Sequence, residues 1–261
     1  MNETLSYSVN DGIATVTMNR PDKMNALNLE LFEALVAAGE AVKADKTVRV
    51  VVLNGAGRAF CAGLDIEAMT AISTTDLSIR THGDCNIFQQ VSWVWREISV
   101  PVIAAVHGTC FGGGLQIMTG ADMRYVHPDT KLSIMEIKWG LVPDMAGTQL
   151  WKTFVREDII RDLTYTARIF SGTEAFEYGF ATRLSDDPLE EALATAKQIA
   201  NRNPDAIRAA KRLINDQHHA DPVAGILAES VEQKAIIGSS NQMEAVMANL
   251  EKRTPSFKDP V

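Results

Sequence analysis

The sequence predicts an α/β fold whose C-terminal part is helical. Short β-branched runs alternate with helical patterns over the first part of the chain, the signature of strands covered by crossover helices. Two glycine-rich loops each follow one of those runs directly. Beyond about residue 157 the strand signal fades. There Asp187-Pro188 and Asn203-Pro204 read as helix starts, a capping side chain followed by a proline whose missing N–H costs the first turn nothing.

The elements follow in order. Leu5, Tyr7 and Val9 alternate, Ile13, Thr15, Val16 and Met18 follow, and Asn10-Asp11-Gly12 stands between the two runs. Asp-Gly favours positive φ, so residues 4–19 read as a tight β-hairpin, ended by Arg20-Pro21. Leu31, Phe32, Leu35, Val36 and Val42 recur near the helical period, which predicts a helix over 29–44 capped by Asn28. Val48–Leu53 and Val100–Val106 are continuous apolar runs, as in strands buried on both faces. Asn54-Gly55-Ala56-Gly57 breaks the first, glycines and a helix follow the second, and Met123–Val126 reads as a further strand. Helices are expected at roughly 157–168, 173–179, 188–202 and 204–216, with a last one near 221–251 broken around Gly238-Ser239-Ser240. This divides the chain into an α/β core at about 1–200 and a helical region at 201–261, without sequence repeats or low-complexity tracts.

The 261 residues carry 25 Lys and Arg against 33 Asp and Glu, a formal charge of −8, with 46% hydrophobic and 22% charged residues. Such an apolar share offsets the ordering entropy and excludes a disordered chain. The length allows a sizeable core without disulfide staples. The acidic balance, with no run of more than two adjacent Lys or Arg, lacks the basic stripe of a nucleic-acid binder. It leaves room for an anionic small molecule, which needs only a few local cations. Cys61, Cys85 and Cys110 are odd in number and widely spaced, without C-x-x-C, as in a reduced cytoplasmic protein. No apolar run approaches the ~20 residues of a membrane helix. Met-Asn-Glu-Thr at the start lacks the regions of a secretory signal, and Lys-Asp-Pro-Val at the end is no peroxisomal or lipidation signal. The expectation is a cytoplasmic protein that binds neither nucleic acid nor membrane.

The first glycine loop is Ala59-Phe60-Cys61-Ala62-Gly63-Leu64-Asp65-Ile66, with Gly55 and Gly57 before it and Asp65 placed to cap a following helix. The second is Gly108-Thr109-Cys110-Phe111-Gly112-Gly113-Gly114-Leu115-Gln116. Three glycines at a helix start let a ligand approach backbone N–H groups, and the helix end adds partial positive charge. This suits a phosphate or an oxyanion. Cys110 stands where a dinucleotide fingerprint needs its second glycine, and no Gly-Lys-Ser/Thr follows as in a P-loop. Tight packing explains the glycines of either loop alone. Together, two N–H groups from separate loops can converge on one developing negative oxygen, an oxyanion hole.

Further motifs join these loops: Asn19-Arg20-Pro21-Asp22-Lys23-Met24-Asn25-Ala26-Leu27-Asn28, the stretch from Glu136 to Thr148, then Ser171–Ala181, Asn203–Lys211 and Glu251–Phe257. In this order, over almost the whole chain, the sequence resembles the crotonase (enoyl-CoA hydratase/isomerase) superfamily. The resemblance implies a spiral of ββα units with a helical C-terminal part that supports trimers, often paired into hexamers. It implies an acyl-CoA substrate, with coenzyme A present only as part of the thioester and no separate cofactor. The backbone N–H groups of Leu64 and Gly113 match the family's oxyanion donors. Coenzyme A contacts in the family match Lys23, Met24, Ala26, Ala62, Asp65 and Ile66. Lys252 matches a C-terminal basic residue that reaches the phosphates, on a neighbouring subunit in one arrangement.

General acid–base work needs a carboxylate or His within hydrogen-bond reach of the reacting carbon, and a carboxylate among apolar residues has a raised pKa that suits it. The family's three chemical positions match Gln116, Glu136 and Asp144. Its hydratases carry Glu at the first two and split water with the pair. An amide at 116 can position a water but cannot take its proton. Isomerases of the family shuttle a proton on the glutamate matching Glu136. Dienoyl-CoA isomerases carry Glu and Asp at the positions of Glu136 and Asp144, with an Asp where this chain has Gln116. The family's dehalogenases place a nucleophilic Asp at the position of Asp144 but carry Trp in place of Glu136. Asp144 also stands where it could simply cap the next helix.

His107 reads as a packed histidine, His127 and His218-His219 as solvated, and His82 as a bystander in segment 69–92, which borders the acyl pocket in the family. Trp93, Trp95, Trp139 and Trp151 read as packing, and Trp139, close in sequence to Glu136, also as a wall of the acyl pocket. No spacing suggests a metal site. The expected activity is isomerisation of an enoyl-CoA or dienoyl-CoA double bond. The alternatives are a hydratase or thioester hydrolase that activates water, and a non-catalytic CoA-binding protein.

Overall fold

The computed structural model describes residues 3–66, 68, 75–217 and 220–260. β1 (Leu5–Asn10) and β2 (Ile13–Met18) form the expected hairpin, Leu5 opposite Met18 and Asn10 opposite Ile13. Asp11 and Gly12 both take positive φ, 50° and 75°, the backbone that a two-residue turn of this twist requires. α1 (Leu29–Ala44) starts at Asn28, whose side chain accepts the Leu31 N–H. It returns the chain so that β3 (Val50–Gly55) lies parallel to β2. β3 runs through Asn54 and Gly55, where the sequence reading had broken it. The Asn54 side chain donates to Thr17 Oγ1 at 3.0 Å and stays in the sheet.

α2 (Ile87–Glu97) was not read from the sequence. It opens with a reciprocal cap between Asn86 and Gln89 and buries Phe88, Val91, Val94 and Trp95. β4 (Val102–Val106) pairs parallel with β3. β5 (Thr109–Phe111) leads into α3 (Gly113–Gly120), every residue of which is buried. β6 (Met123–Val126) pairs with β4, and β7 (Lys131–Ser133) with β5. α4 (Gly147–Trp151), α5 (Glu157–Thr166), β8 (Phe170–Ser171), α6 (Gly172–Tyr178) and β9 (Arg183–Leu184) follow. The chain then becomes helical: α7 (Pro188–Ala200), α8 (Pro204–Asp216), α9 (Pro222–Ile236) and α10 (Ser240–Glu251). The break between the last two falls at Gly238, φ 81°, and Ser239 caps α10.

The main sheet has the order β1-β2-β3-β4-β6-β9, and a second sheet the order β5-β7-β8. This α/β layering, with helices alone after β9 among the described residues, is the architecture expected above. One face of the main sheet packs with α1, α2 and α3 around Leu31, Phe32, Leu53, Trp95 and Leu115. The other face, Val50, Val52, Ile103, Ala105 and Tyr125, is covered by Ala192, Ala196 and Ala200 of α7. β3 and β4 are therefore buried on both faces, as their continuous apolar runs imply. Lys211 of α8 is buried and donates to Trp95 O, Val100 O and Asp122 Oδ2 at 3.0, 2.9 and 2.8 Å. That clamp pins α8 to the ends of α2, β4 and α3. Among the described residues no helix is long and apolar enough to cross a membrane.

Candidate active site

The two glycine loops lie against each other. Cys61 N–H donates to Thr109 O and Phe111 N–H to Cys61 O, each at 3.0 Å. The approach leaves no room for side chains: a Cβ on Gly114 would stand 2.6 Å from Cys61 O, and one on Gly63, φ 96°, 3.0 Å from Phe111 O. This is the close backbone contact for which glycine is needed. Gly113 begins α3, so its N–H is one of the unpaired donors of a helix start. Among the described residues, neither that N–H nor the Leu64 N–H finds a protein acceptor.

The segment after β2 braces the first loop. Ala62 N–H donates to Met24 O, Leu27 N–H to Gly63 O and Asp65 N–H to Leu27 O, at 2.9, 2.8 and 2.9 Å. Met24 and Asn25 are left-handed, and the buried Asn25 side chain donates to Ala56 O and Ala59 O. Asp65, expected as a helix cap, is buried and takes an ion pair from Arg20 at 3.0 Å; Arg20 also donates to Ala26 O. Arg20 lies within the Asn19–Asn28 motif, but nothing in that motif marks it as the partner of Asp65. A cation followed 45 residues later by an acid gives no local signal of pairing. The structure thus gathers Lys23, Met24, Ala26, Ala62, Leu64, Asp65 and Ile66 along one seam, with Lys23 and Ile66 exposed. Lys252 lies apart. It ends α10 in a left-handed conformation and lines a cleft of about 490 Å³ with Arg202, Asn249 and Thr254. Among the described residues no hydrogen bond or ion pair joins it to either loop.

Glu136 opens a short 3-10 turn, Glu136–Trp139, after β7. Gly112 N–H donates to Ser133 O at 3.0 Å and holds this stretch beside the second loop. A Cβ on Gly112 would stand 3.4 Å from Glu136 Oε1, so the carboxylate sits one residue from the Gly113 N–H. Gln116 Nε2 donates to Glu136 Oε1 at 2.6 Å, while Oε2 is buried without a hydrogen-bond partner. Burial raises the Glu136 pKa; hydrogen bonds including that from Gln116 oppose it, and the Asp144 charge adds to the rise. Asp144 is exposed as a residue, yet the protein around its carboxyl raises its pKa too. It does not cap α4. The helix begins behind Ala146, which is left-handed, without a side-chain cap.

Gln116 is 1% exposed, and its Oε1 accepts from the N–H groups of Met145 and Gly147 at 2.9 and 3.0 Å. The oxygen is filled by the protein itself. The arrangement brings Gln116, Glu136, Asp144 and the loop N–H groups to one place. There a carboxylate with an unpaired buried oxygen stands beside N–H donors, an arrangement that suits proton removal next to a developing anion.

Other candidates stand outside this cluster. His107 Nε2 lies 2.8 Å from Gly57 O, His127 Nδ1 accepts from Asp129 N–H, and His82 contacts Thr81. His218-His219 and residues 69–74 lie outside the described residues. Trp95 and Trp151 are fully buried, but Trp139 is 56% exposed and packs less than expected, because its short turn projects from the core. Among the described residues no cluster could hold a metal ion.

The family described as enoyl-CoA hydratase/isomerase matches residues 8–260. Among similar proteins is the peroxisomal Delta(3,5)-Delta(2,4)-dienoyl-CoA isomerase of Arabidopsis thaliana. It is 29% identical over 98% of this chain and 96% of its own. The mitochondrial methylglutaconyl-CoA hydratase of Mus musculus is 28% identical over 95% and 80%. The solved enoyl-CoA hydratase of Bacillus anthracis superposes with a TM-score of 0.88 at 27% identity, over 98% of this chain and 99% of that one. Paired glycine loops, a half-buried glutamate beside them and a match over nearly the whole length agree: the chain belongs to the enoyl-CoA hydratase/isomerase family.

Proposed function

We propose that this protein is a double-bond isomerase acting on enoyl-CoA or dienoyl-CoA thioesters. The Glu136 carboxylate removes an α- or γ-proton. The electron pair moves toward the thioester oxygen, which the N–H groups of Leu64 and Gly113 stabilise as an enolate. Asp144 returns a proton at the far end of the shifted double bond, so no oxygen is gained. Coenzyme A lies along Lys23, Met24, Ala26, Ala62, Asp65 and Ile66, and Lys252 meets its phosphates from a neighbouring subunit.

One observation carries the reading. Gln116 has its amide oxygen filled by two backbone N–H groups and its nitrogen turned to Glu136. It therefore offers water no acceptor, and an amide takes no proton. The test gives purified protein 3-enoyl-CoA, 3,5-dienoyl-CoA and trans-2-enoyl-CoA in water labelled with heavy oxygen, with products read by mass spectrometry. The expected product has a moved double bond and no label. One labelled oxygen would assign the protein to water activation, as hydratase or hydrolase. Tight CoA binding without turnover would make it a binding protein.

The same reading includes a homotrimer or a pair of trimers. α9 buries no residue within the chain, although Val223, Ile226, Leu227 and Val231 are each at least 60% exposed. A helix face of that character is covered in a stable protein. Light scattering on a sizing column should give three or six times the 28.5 kDa chain; a monomer at micromolar concentration would overturn it. The free, buried Cys61, Cys85 and Cys110 support a reducing compartment such as the cytoplasm.

A further inference from the structure

We infer that Gln116 is a positioning residue, whose amide clamps a strained turn and so fixes Asp144 relative to Glu136. The inference rests on the isomerase reading for its activity measurement alone. Gln116 Oε1 accepts two N–H groups, from Met145 and Gly147, that flank a single residue. That residue, Ala146, has φ 66° and ψ 1°, a left-handed conformation that a side chain with Cβ disfavours. Left-handed backbone of this kind turns neighbouring N–H groups toward one point, a concavity for a negative or partially negative atom. Here the glutamine oxygen fills it. The fit is close, since a Cβ on Gly147 would stand 2.7 Å from Gln116 Oε1 and 2.5 Å from Trp151.

Asp144 immediately precedes the first clamped N–H. The other end of the same amide lies 2.6 Å from Glu136 Oε1. One planar group on the buried helix α3 thus joins the Glu136 carboxylate to the backbone that directly follows Asp144. A carboxylate at 116 could accept the same two N–H groups. Its second oxygen would then face Glu136 Oε1, and the pair would have to share a proton. The amide holds the turn and leaves Glu136 free to ionise.

The test compares the wild type with Gln116→Asn, Ala146→Gly, the two combined, and Gln116→Glu. Amide hydrogen exchange is read at Met145 and Gly147 without substrate, and kcat and KM are read for the double-bond shift. Asn is too short to reach both N–H groups. Exchange at the two amides should rise about tenfold or more in Gln116→Asn while α3 stays protected. The kcat should fall about 100-fold, the scale of a misplaced catalytic group, with KM little moved. Glycine at 146 holds the left-handed turn without a clamp, so the double variant should regain about fivefold in kcat over Gln116→Asn. Gln116→Glu should keep the protection while the acid limb of its pH–rate profile moves upward. Unchanged exchange in Gln116→Asn, or a double variant no faster than it, would overturn the clamp. Protection lost in Gln116→Asn, from a protein that shifts no double bond, would sink the isomerase reading and leave the clamp standing.

Discussion

Replacing Glu136 by Gln should lower kcat by about 10³-fold, the scale of losing a general base. The two side chains have the same shape, so the seam of Lys23–Ala26 and Ala62–Ile66, proposed above to hold the thioester, is untouched and KM should change little. What goes is, among the described residues, the only buried carboxylate oxygen beside the glycine loops without a partner of its own. The pH dependence has a defined sign. A base works when ionised, and burial raises the Glu136 pKa above the ordinary glutamate range. Activity should therefore fall, as pH drops, at a higher pH than an exposed glutamate would give. Asp144→Asn removes the group that returns the proton, so kcat should fall; it also removes a like charge, so the limb of the remaining activity should move down. Stability moves the other way. A carboxylate whose folded pKa is raised favours the fold when protonated, and loses that contribution as pH rises through the unfolded and then the folded value. Above the folded pKa of Glu136, Glu136→Gln removes an ionised group that burial disfavours, so Tm should hold or rise there while activity collapses. Near-normal activity in this variant would sink the assignment of Glu136 as base.

Much of this site was legible in the sequence, and the rest was hidden for physical reasons. The hairpin turn at Asp11-Gly12 and the Asn28 cap of α1 are local signals, and both appear where expected. β5 and β7 have three residues, β8 and β9 two. Strands that short show no alternation and exist only through pairing with distant segments. α2 carries a local signal in Asn86 and Gln89, three residues apart, the spacing of a reciprocal cap. Capping was the other reading open to Asp144, beside the catalytic one, because a polar residue stands shortly before a helix. The left-handed Ala146 moved the helix start out of its reach. The resemblance drew attention to Gln116, but its role depends on two backbone N–H groups 29 and 31 residues away. No spacing rule reports which way an amide faces.

Lys211→Met should destabilise the fold by about 3–5 kcal/mol, the usual result of removing one partner from a buried ion pair. Lys211 is 7% exposed, and its ammonium meets three acceptors: Trp95 O, Val100 O and Asp122 Oδ2. Burial lowers its pKa, and the Asp122 charge opposes that effect. The same Asp122 oxygen accepts the Val102 N–H at 2.7 Å, at the start of β4. Methionine matches the stem of the side chain, so little packing is lost. Two carbonyls and a carboxylate would be left without their common donor at the junction of α2, β4 and α8. Urea unfolding measures the loss. Lys152→Met serves as its control, an exposed lysine whose replacement should stay within about 0.5 kcal/mol. A shift below about 1 kcal/mol for Lys211→Met would mean that α8 is held by its apolar contacts instead. The variant also separates scaffold from chemistry. Lys211 touches neither glycine loop, so the folded fraction should retain its kcat, whereas Glu136→Gln loses turnover in a protein that remains folded.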